Sequence, residues 1–591
     1  MKKDKWIDII FVYILSISIF LRFIFDGITY PQFNLIFTLI IYLLFIFFGF
    51  AKFKIINFTY SEISFLLFII FSIISSILSD IKGTGVRFNT YITSYLCLFF
   101  LIRNTFYSEK NKKFLFSTIL IITFFITIYG IYQRFWGLEE TRKWLMENLN
   151  NIDFKNISPT FIDRIQSNRI FSTFIYPNIY ASFLISIMPF LFFIFLKENN
   201  NLLGIFSISI FFLSFFNLIL TESMGGLLIF LFVFHLIFLQ IIMDEIKFKK
   251  ILPFFILIEI FIVFFGYHFK ILPHIHSLMD RILYWKASIK IILLNPFFGI
   301  GPENFKYYFL KFKLPEGLEA KHAHNLFFEI FVENGIFGLF LFSFFLMYII
   351  NSSFKEKKDR YLYLGIFYLF LSFLLHNLID FDFYDPSVAV LFFIFGGLVN
   401  NKRLLSIRLT KMLLCFIIII CIGCGVKLIK FENSERYRRY SEKEKNINLK
   451  IYLLENGEIW DNKNFEIYVE KGDLFLNMWQ LENDDRYLKE SIYNYNKSVS
   501  LNPYLTKVYK RLAYLYESIK NYKMAEKMYL KLLEIYPNKK LYNLEIARFY
   551  KKIGEEEKFK FYYKKSNKLK GVTTEEGILI NEIEKWIELQ K

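Results

Sequence analysis

Cysteine is nearly absent from this chain of 591 residues, which has four: Cys97, Cys415, Cys421 and Cys424. A disulfide framework is therefore excluded, and all four lie in apolar runs. Cys421-x-x-Cys424 has the spacing of a redox or metal pair. No second pair and no polar partner adjoin it, so packed residues inside a membrane helix are expected. No cleavable leader is expected either. Met1 to Lys5 is basic, but the apolar run that follows has no small-residue cleavage site and reads as a first membrane span. What is abundant is apolar surface: 55% hydrophobic residues, 21% aromatics and a mean hydropathy of +0.39. A soluble domain does not expose that much Phe and Ile, so a polytopic helical membrane protein is expected.

Apolar windows long enough to cross a bilayer fall at 6–25, 33–51, 61–79, 88–102, 114–132, 178–196, 202–220, 225–243, 251–268, 330–350, 361–379, 386–400 and 412–429. That makes about 13 spans, of which 88–102 and 386–400 are short. The net charge is +18, but its placement carries more than its size. With the N-terminus in the cytoplasm, Lys and Arg concentrate in the cytoplasmic loops, as at Lys110, Lys112 and Lys113, at Lys247, Lys249 and Lys250, and at Lys355, Lys357 and Lys358. The turn 79–87, with Lys82 and Arg87 against Asp80, is the exception. The positive charge thus reports sidedness, and no nucleic-acid partner is expected. The long loops 133–177 and 269–329 are expected outside, as is everything from residue 430 to 591.

From Phe431 onward hydropathy falls and charge rises. Pro503 and Pro537 are 34 residues apart, and Gly571 is 34 further on. That period in a helical background marks tetratricopeptide repeats. In the clearest unit, Tyr509, Leu512, Ala513, Tyr516, Ala525, Tyr529, Leu532 and Pro537 stand at the repeat's usual positions. In the unit before it, Trp479 stands where a small residue is usual. The fold class expected is all-α: membrane helices over residues 1–429 and an extracytoplasmic α-solenoid over 430–591. Such solenoids bind peptides or proteins, so a protein partner is expected there.

Six of the seven histidines lie in the second long loop or at outer membrane ends: His268, His274, His276, His322, His324 and His376. His274-x-His276 and His322-x-His324 could supply four metal nitrogens, yet no cysteine and few carboxylates adjoin them. Plain hydrogen bonding is a second reading. The third is acid–base catalysis by His324, because imidazole titrates near neutrality and can take a proton from a hydroxyl. Asn325, Glu329 and Glu333 recur every four residues and share one helical face, which could orient His324, bind sugar hydroxyls or form the solvated start of a span. Arg169 and Arg281 lie in outward loops close to a span, where each could snorkel at the interface or hold an anion.

One constellation is far more specific. Arg281-x-x-x-Trp285 is followed by Asn295-Pro296-Phe297-Phe298-Gly299-Ile300-Gly301-Pro302-x-x-Phe305, then His322-Ala323-His324-Asn325, then Glu333-Asn334-Gly335-Ile336-Phe337-Gly338. In order and spacing this resembles the O-antigen ligase and polymerase superfamily. Arg169-x-x-Ser172-Thr173-Phe174-x-x-Pro177-Asn178-x-x-Ala181 is similar to a second segment of that family. The resemblance covers about residues 1–430 and implies a glycosyltransferase of the bacterial cytoplasmic membrane. Its donor would be a glycan on a polyprenyl diphosphate, used at the outer face. The acceptor would be a lipid, another glycan unit or a protein side chain, as in a ligase, a polymerase or a protein O-oligosaccharyltransferase. By that resemblance His324 is the catalytic base and Arg169 and Arg281 hold the diphosphate. Lys321 adds charge beside the histidine, and His322, Asn325, Glu329 and Glu333 support the site or the acceptor. No metal and no cofactor are implied. The acidic group Asp380, Asp382 and Asp385 also recurs in the family, although a hydrated outer loop is the favoured reading for it. Gly299 and Gly301 read as turn formers, not phosphate binders, because a strand–Gly–helix context is absent. One departure stands out: the family's Ser-Arg-Gly reads Ser223-Met224-Gly225 here, so an expected diphosphate-binding arginine is missing. The rival from another class is a non-catalytic transporter or scaffold that presents the repeats.

Overall fold

A computed structural model describes residues 2–25, 31–52, 55–148, 164–198, 201–243, 247, 250–253, 275–315, 317–356, 359–399, 403–408, 411–569 and 574–590. Twelve of the thirteen expected windows fall on helices, from Lys2–Ile24 to Lys411–Lys443. The window 251–268 lies almost entirely outside the described residues, as do His268 and His274. Among the described residues, eight helices are long and apolar enough to cross a membrane, and Ile9–Ile24 and Pro386–Leu398 are shorter apolar helices. These helices fit a multi-pass membrane protein.

The core is organised around Pro177–Glu198, whose apolar window is 83% buried and which packs against Arg360–Asn377 and Leu202–Leu220. The short Pro386–Leu398 has 13 residues, all of them buried, so its length is matched to a protein neighbourhood and not to lipid. Asp385 caps it, and Pro386 opens its first turn, where a missing N–H costs nothing. Tyr60–Leu78 starts in a capping box, with Thr59 and Glu62 each satisfying the other's backbone.

The helical expectation needs one addition: Ile55–Thr59 pairs antiparallel with Arg403–Arg408. The two strands connect loops that the charge pattern puts on one side. On the same side lie Arg103–Glu62 at 2.6 Å, Lys113–Glu198 at 3.0 Å and Lys197–Asp359 at 2.5 Å. The basic loops are therefore tied to one another as well as sharing a face.

The opposite face carries the tail. Lys411–Lys443 runs as one helix of 33 residues through the expected boundary at residue 430. Beyond it, helix hairpins follow, among them Thr506–Ser518 with Tyr522–Ile535, and Lys540–Lys552 with Glu556–Asn567. Tyr509, Leu512, Ala513, Ala525, Tyr529 and Leu532 are buried between them, as the repeat pattern requires. Trp479, at the irregular position, packs partly buried against the same cluster.

A backbone interlock explains two halves of the long motif. Leu326–Lys355 is broken at Gly335, whose φ of 67° and ψ of −173° lie in a region open essentially to glycine alone. The turn 295–301 fits into this break. Ile336 N donates to Pro296 O at 2.8 Å, Ile300 N to Val332 O at 2.9 Å and Gly301 N to Glu333 O at 2.9 Å. A Cβ on Gly335 would stand 2.1 Å from Phe297 O, and Gly299 and Gly301 take φ values of +71° and +88°. Gly335→Ala is expected to destabilise the protein by at least ~1–3 kcal/mol from the backbone conformation alone, before the clash is counted. Thermal unfolding in detergent checks this, and an unchanged melting temperature would refute the interlock.

Candidate active site

His324 sits two residues before the helix Leu326–Lys355, with a left-handed φ of 51°. Asn325 is the cap. Its Oδ1 accepts from Phe327 N and Phe328 N, both at 3.0 Å, and its Nδ2 donates to Leu378 O at 2.8 Å. Asn325 thereby pins the start of this helix to the turn after Arg360–Asn377 and brings His324 against Asp380. His324 Nδ1 lies 3.1 Å from Asp380 Oδ1.

Asp380 is the hub of the cluster. It is 3% exposed. Its Oδ1 also accepts from Phe381 N at 3.0 Å, and its Oδ2 meets Asn178 Nδ2 at 3.3 Å and Arg281 Nη2 at 3.4 Å. Asn178 Oδ1 in turn accepts from Arg169 Nη2 at 2.9 Å, and Arg169 Nε donates to Thr221 O at 2.8 Å. His324 and Arg281 thus meet on one carboxylate, and Arg169 joins it through Asn178, from four separate stretches of chain. Burial pushes Asp380 upward, but the hydrogen bond and charge of His324, with Arg281, outweigh it and hold the carboxyl well below the usual range. An ionised carboxylate only accepts hydrogen bonds, so Nδ1 of His324 carries a proton; in the neutral imidazole the lone pair is then on Nε2. The side chain is 27% exposed, and no hydrogen bond among the described residues reaches Nε2. Aromatic rings steer it: Tyr284 lies 5.6 Å away, and Phe381 meets it edge-on at 4.8 Å. Burial, with the charge of Asp280, pushes the Tyr284 hydroxyl up to about 12.

The other expected residues are placed differently. His322 stacks on Phe381 at 4.4 Å and bonds Glu329 Oε1 through Nδ1 at 3.0 Å. Glu329 also accepts from Ala323 N, so it anchors the backbone between the two histidines. Glu333 accepts from Tyr384 Oη at 2.8 Å. Asn325, Glu329 and Glu333 do share one face, but they are 8%, 0% and 0% exposed, which corrects the solvated reading. Both glutamates direct their oxygens inward, towards the residues that hold the loop, because the 376–386 turn packs over them. Lys321 is exposed and enters no ion pair with the cluster.

Asp380, Asp382 and Asp385 are 3%, 0% and 1% exposed, so the hydrated-loop alternative fails. His376 Nδ1 bonds Asp382 Oδ2 at 2.6 Å, which makes a second histidine–aspartate pair beside the first. Ligand atoms of His376, Asp380 and Asp382 lie within 4.8 Å of one another and could hold a metal ion. His276 is described only as part of the helix Ile275–Leu294. At the missing arginine, Ser223 caps the helix that begins with Met224. The guanidinium found at the preceding turn is that of Arg169, on Thr221 O.

Residues 209–343 match the family model described as O-Antigen ligase, and residues 506–539 match that of the tetratricopeptide repeat. The chain combines an O-antigen ligase-type domain with tetratricopeptide repeats. No curated protein matches the chain. The ligase-type match includes Arg281, His324 and the interlocked glycines, whereas Arg169, Asn178 and Asp380 fall outside it and join the site only in space. In the sequence Asp380 stands out only as one of three acids after His376 that also recur in the resembled family.

Asp380→Asn keeps the shape, removes the charge and allows an amide N–H to face Nδ1, favouring the wrong imidazole tautomer. Glycan transfer is expected to fall about 10³–10⁴-fold, as when the orienting aspartate of a catalytic triad is neutralised. A membrane transfer assay with matched expression checks this, and a change below about threefold would remove Asp380 from the machinery.

Proposed function

We propose that the chain is a glycosyltransferase that moves an oligosaccharide or polysaccharide from a polyprenyl-diphosphate carrier to an acceptor hydroxyl at the outer face of the bacterial cytoplasmic membrane. The observation that carries this reading is the convergence of His324 and Arg281 on Asp380, with Arg169 joined through Asn178. Nε2 of His324 removes the acceptor's proton as its oxygen attacks the anomeric carbon. The bond from that carbon to the diphosphate oxygen breaks, and the diphosphate leaves with the electron pair. Charge grows on the leaving group in this step, and the fixed forks of Arg281 and Arg169 stabilise it. Arg169, braced at the turn before Met224, takes the place of the cation that the family carries there. The proton then passes from His324 to the released diphosphate or to water.

Charge placement supports the sidedness, since the ion-paired basic loops lie on the face opposite His324 and the tail. A nucleotide-sugar donor, confined to the cytoplasm, does not fit that face. The acceptor class is a ligase's lipid, a polymerase's glycan or a transferase's protein side chain, and the repeats favour a protein acceptor or partner.

His324→Ala is expected to lower transfer about 10²–10⁴-fold, the usual contribution of a general base, while protein level and carrier synthesis stay unchanged. Undiminished transfer would leave the scaffold reading standing. The route drawn here uses no metal at His376, Asp380 and Asp382. Transfer is accordingly expected to persist after treatment with a chelator, and loss that added divalent ion restores would overturn metal independence.

A further inference from the structure

We infer that the repeat tail braces the catalytic loop from within the same chain, with Tyr504, Tyr536, Asn538 and Lys539 acting as positioning residues for His324. This rests on the glycosyltransferase reading above for its activity readout, but not for its structural one.

Among the described residues between the end of helix Phe305–Phe312 and Asn325 the backbone has no regular structure, yet it must deliver His324 to within 3.1 Å of Asp380 in a left-handed conformation. A segment of that length is costly to order and needs contacts to hold it. Its far end is tied down by Glu329 and Asp380. Its near half is held by the tail. Asn538 Nδ2 donates to Lys313 O at 3.0 Å. Glu319 Oε1 accepts from Tyr536 Oη at 3.2 Å and pairs with Lys539 Nζ at 2.9 Å.

A second set of contacts fixes the tail itself. Asp80 Oδ2 accepts from Tyr308 at 2.9 Å and from Tyr504 at 3.3 Å, and the two tyrosine rings lie 4.3 Å apart. Lys82 N donates to Leu501 O at 2.8 Å. Phe465 of the tail is buried in one apolar cluster with Phe305, Phe309, Tyr284 and Ala323. Ala323 precedes the catalytic histidine, and Tyr284 faces its ring. The tail is therefore continuous, through packed side chains, with the surroundings of His324. None of the four positioning residues approaches the reacting atoms, so their effect is through the loop.

The test is a charge exchange in the full chain. Lys539→Glu removes the pairs with both Glu319 and Glu576 and is expected to lower kcat about tenfold or more, with the donor KM within about twofold because Arg169 and Arg281 are not on the braced segment. Adding Glu319→Lys should restore part of the rate, because the pair with Glu319 is remade while the one with Glu576 is not. Tyr504→Ala, at the other contact, should resemble Lys539→Glu. Lys313, 2% exposed, should resist trypsin in the purified protein and in the exchanged pair, but be cut in Lys539→Glu and Tyr504→Ala, as read by mass spectrometry of the fragments. Unchanged rate and unchanged protection at Lys313 in the single variants would overturn the brace, as would a lost rate that the exchange does not restore while Lys313 stays protected. Absence of any transfer by the unmodified protein would instead sink the glycosyltransferase reading, and the protease result would still decide the brace.

Discussion

A single buried carboxylate, that of Asp380, organises this protein. One of its oxygens faces the imidazole of His324, and the other faces Arg281 and, through Asn178, Arg169. A charge removed from water is tolerated only when its partners are fixed, and each partner is in turn fixed by something else. Asn325 caps one helix and bonds the turn of another, Glu329 holds the backbone before His324, and Arg169 is bound to Thr221 O. Losing the anion would leave two guanidinium groups and a histidine facing one another. The same arrangement occupies Nδ1 of the imidazole, so a neutral ring presents its lone pair at Nε2.

The turn at 295–301 and the break at Gly335 supply the rigid side of the site. Backbone bonds across this interlock set the angle at which Leu326–Lys355 leaves the loop, and hence where its capped end points. On the other side, the tail closes over helix Phe305–Phe312 and the segment that follows it. The result is a histidine on a loop with two firm supports, one from the membrane helices and one from the repeats. Loops that carry chemistry work when a rigid scaffold positions them, and here a separate solenoid supplies part of that scaffold.

Much of the site was legible because it is written in local motifs. Arg281, His322, His324 and the glycines stand within one stretch of chain, and the order of the pieces carries the resemblance. Arg169 was legible through a second segment. Asp380 was noticed only as one of three acids that a hydrated loop explains as well. Its pairing with a histidine 56 residues away has no trace in spacing. Glu329 and Glu333 were placed correctly on one face, but which way that face turns was open, since periodicity fixes a stripe without naming its neighbour. Lys321, adjacent to His322 in sequence, illustrates the converse: proximity along an extended loop does not bring side chains together.

The sequence by itself determined the helices, the separation into a membrane part and a solenoid, and the 34-residue period. Each follows from hydropathy or side-chain spacing within a short window, where local physics suffices. Only the tertiary structure decided that the acids after His376 are buried, that Ile55–Thr59 pairs with Arg403–Arg408, and that the tail rests on the loop that carries His324. Those facts depend on contacts between residues far apart in the chain. Such contacts are selected by how the helices pack together, and no window of sequence contains that information.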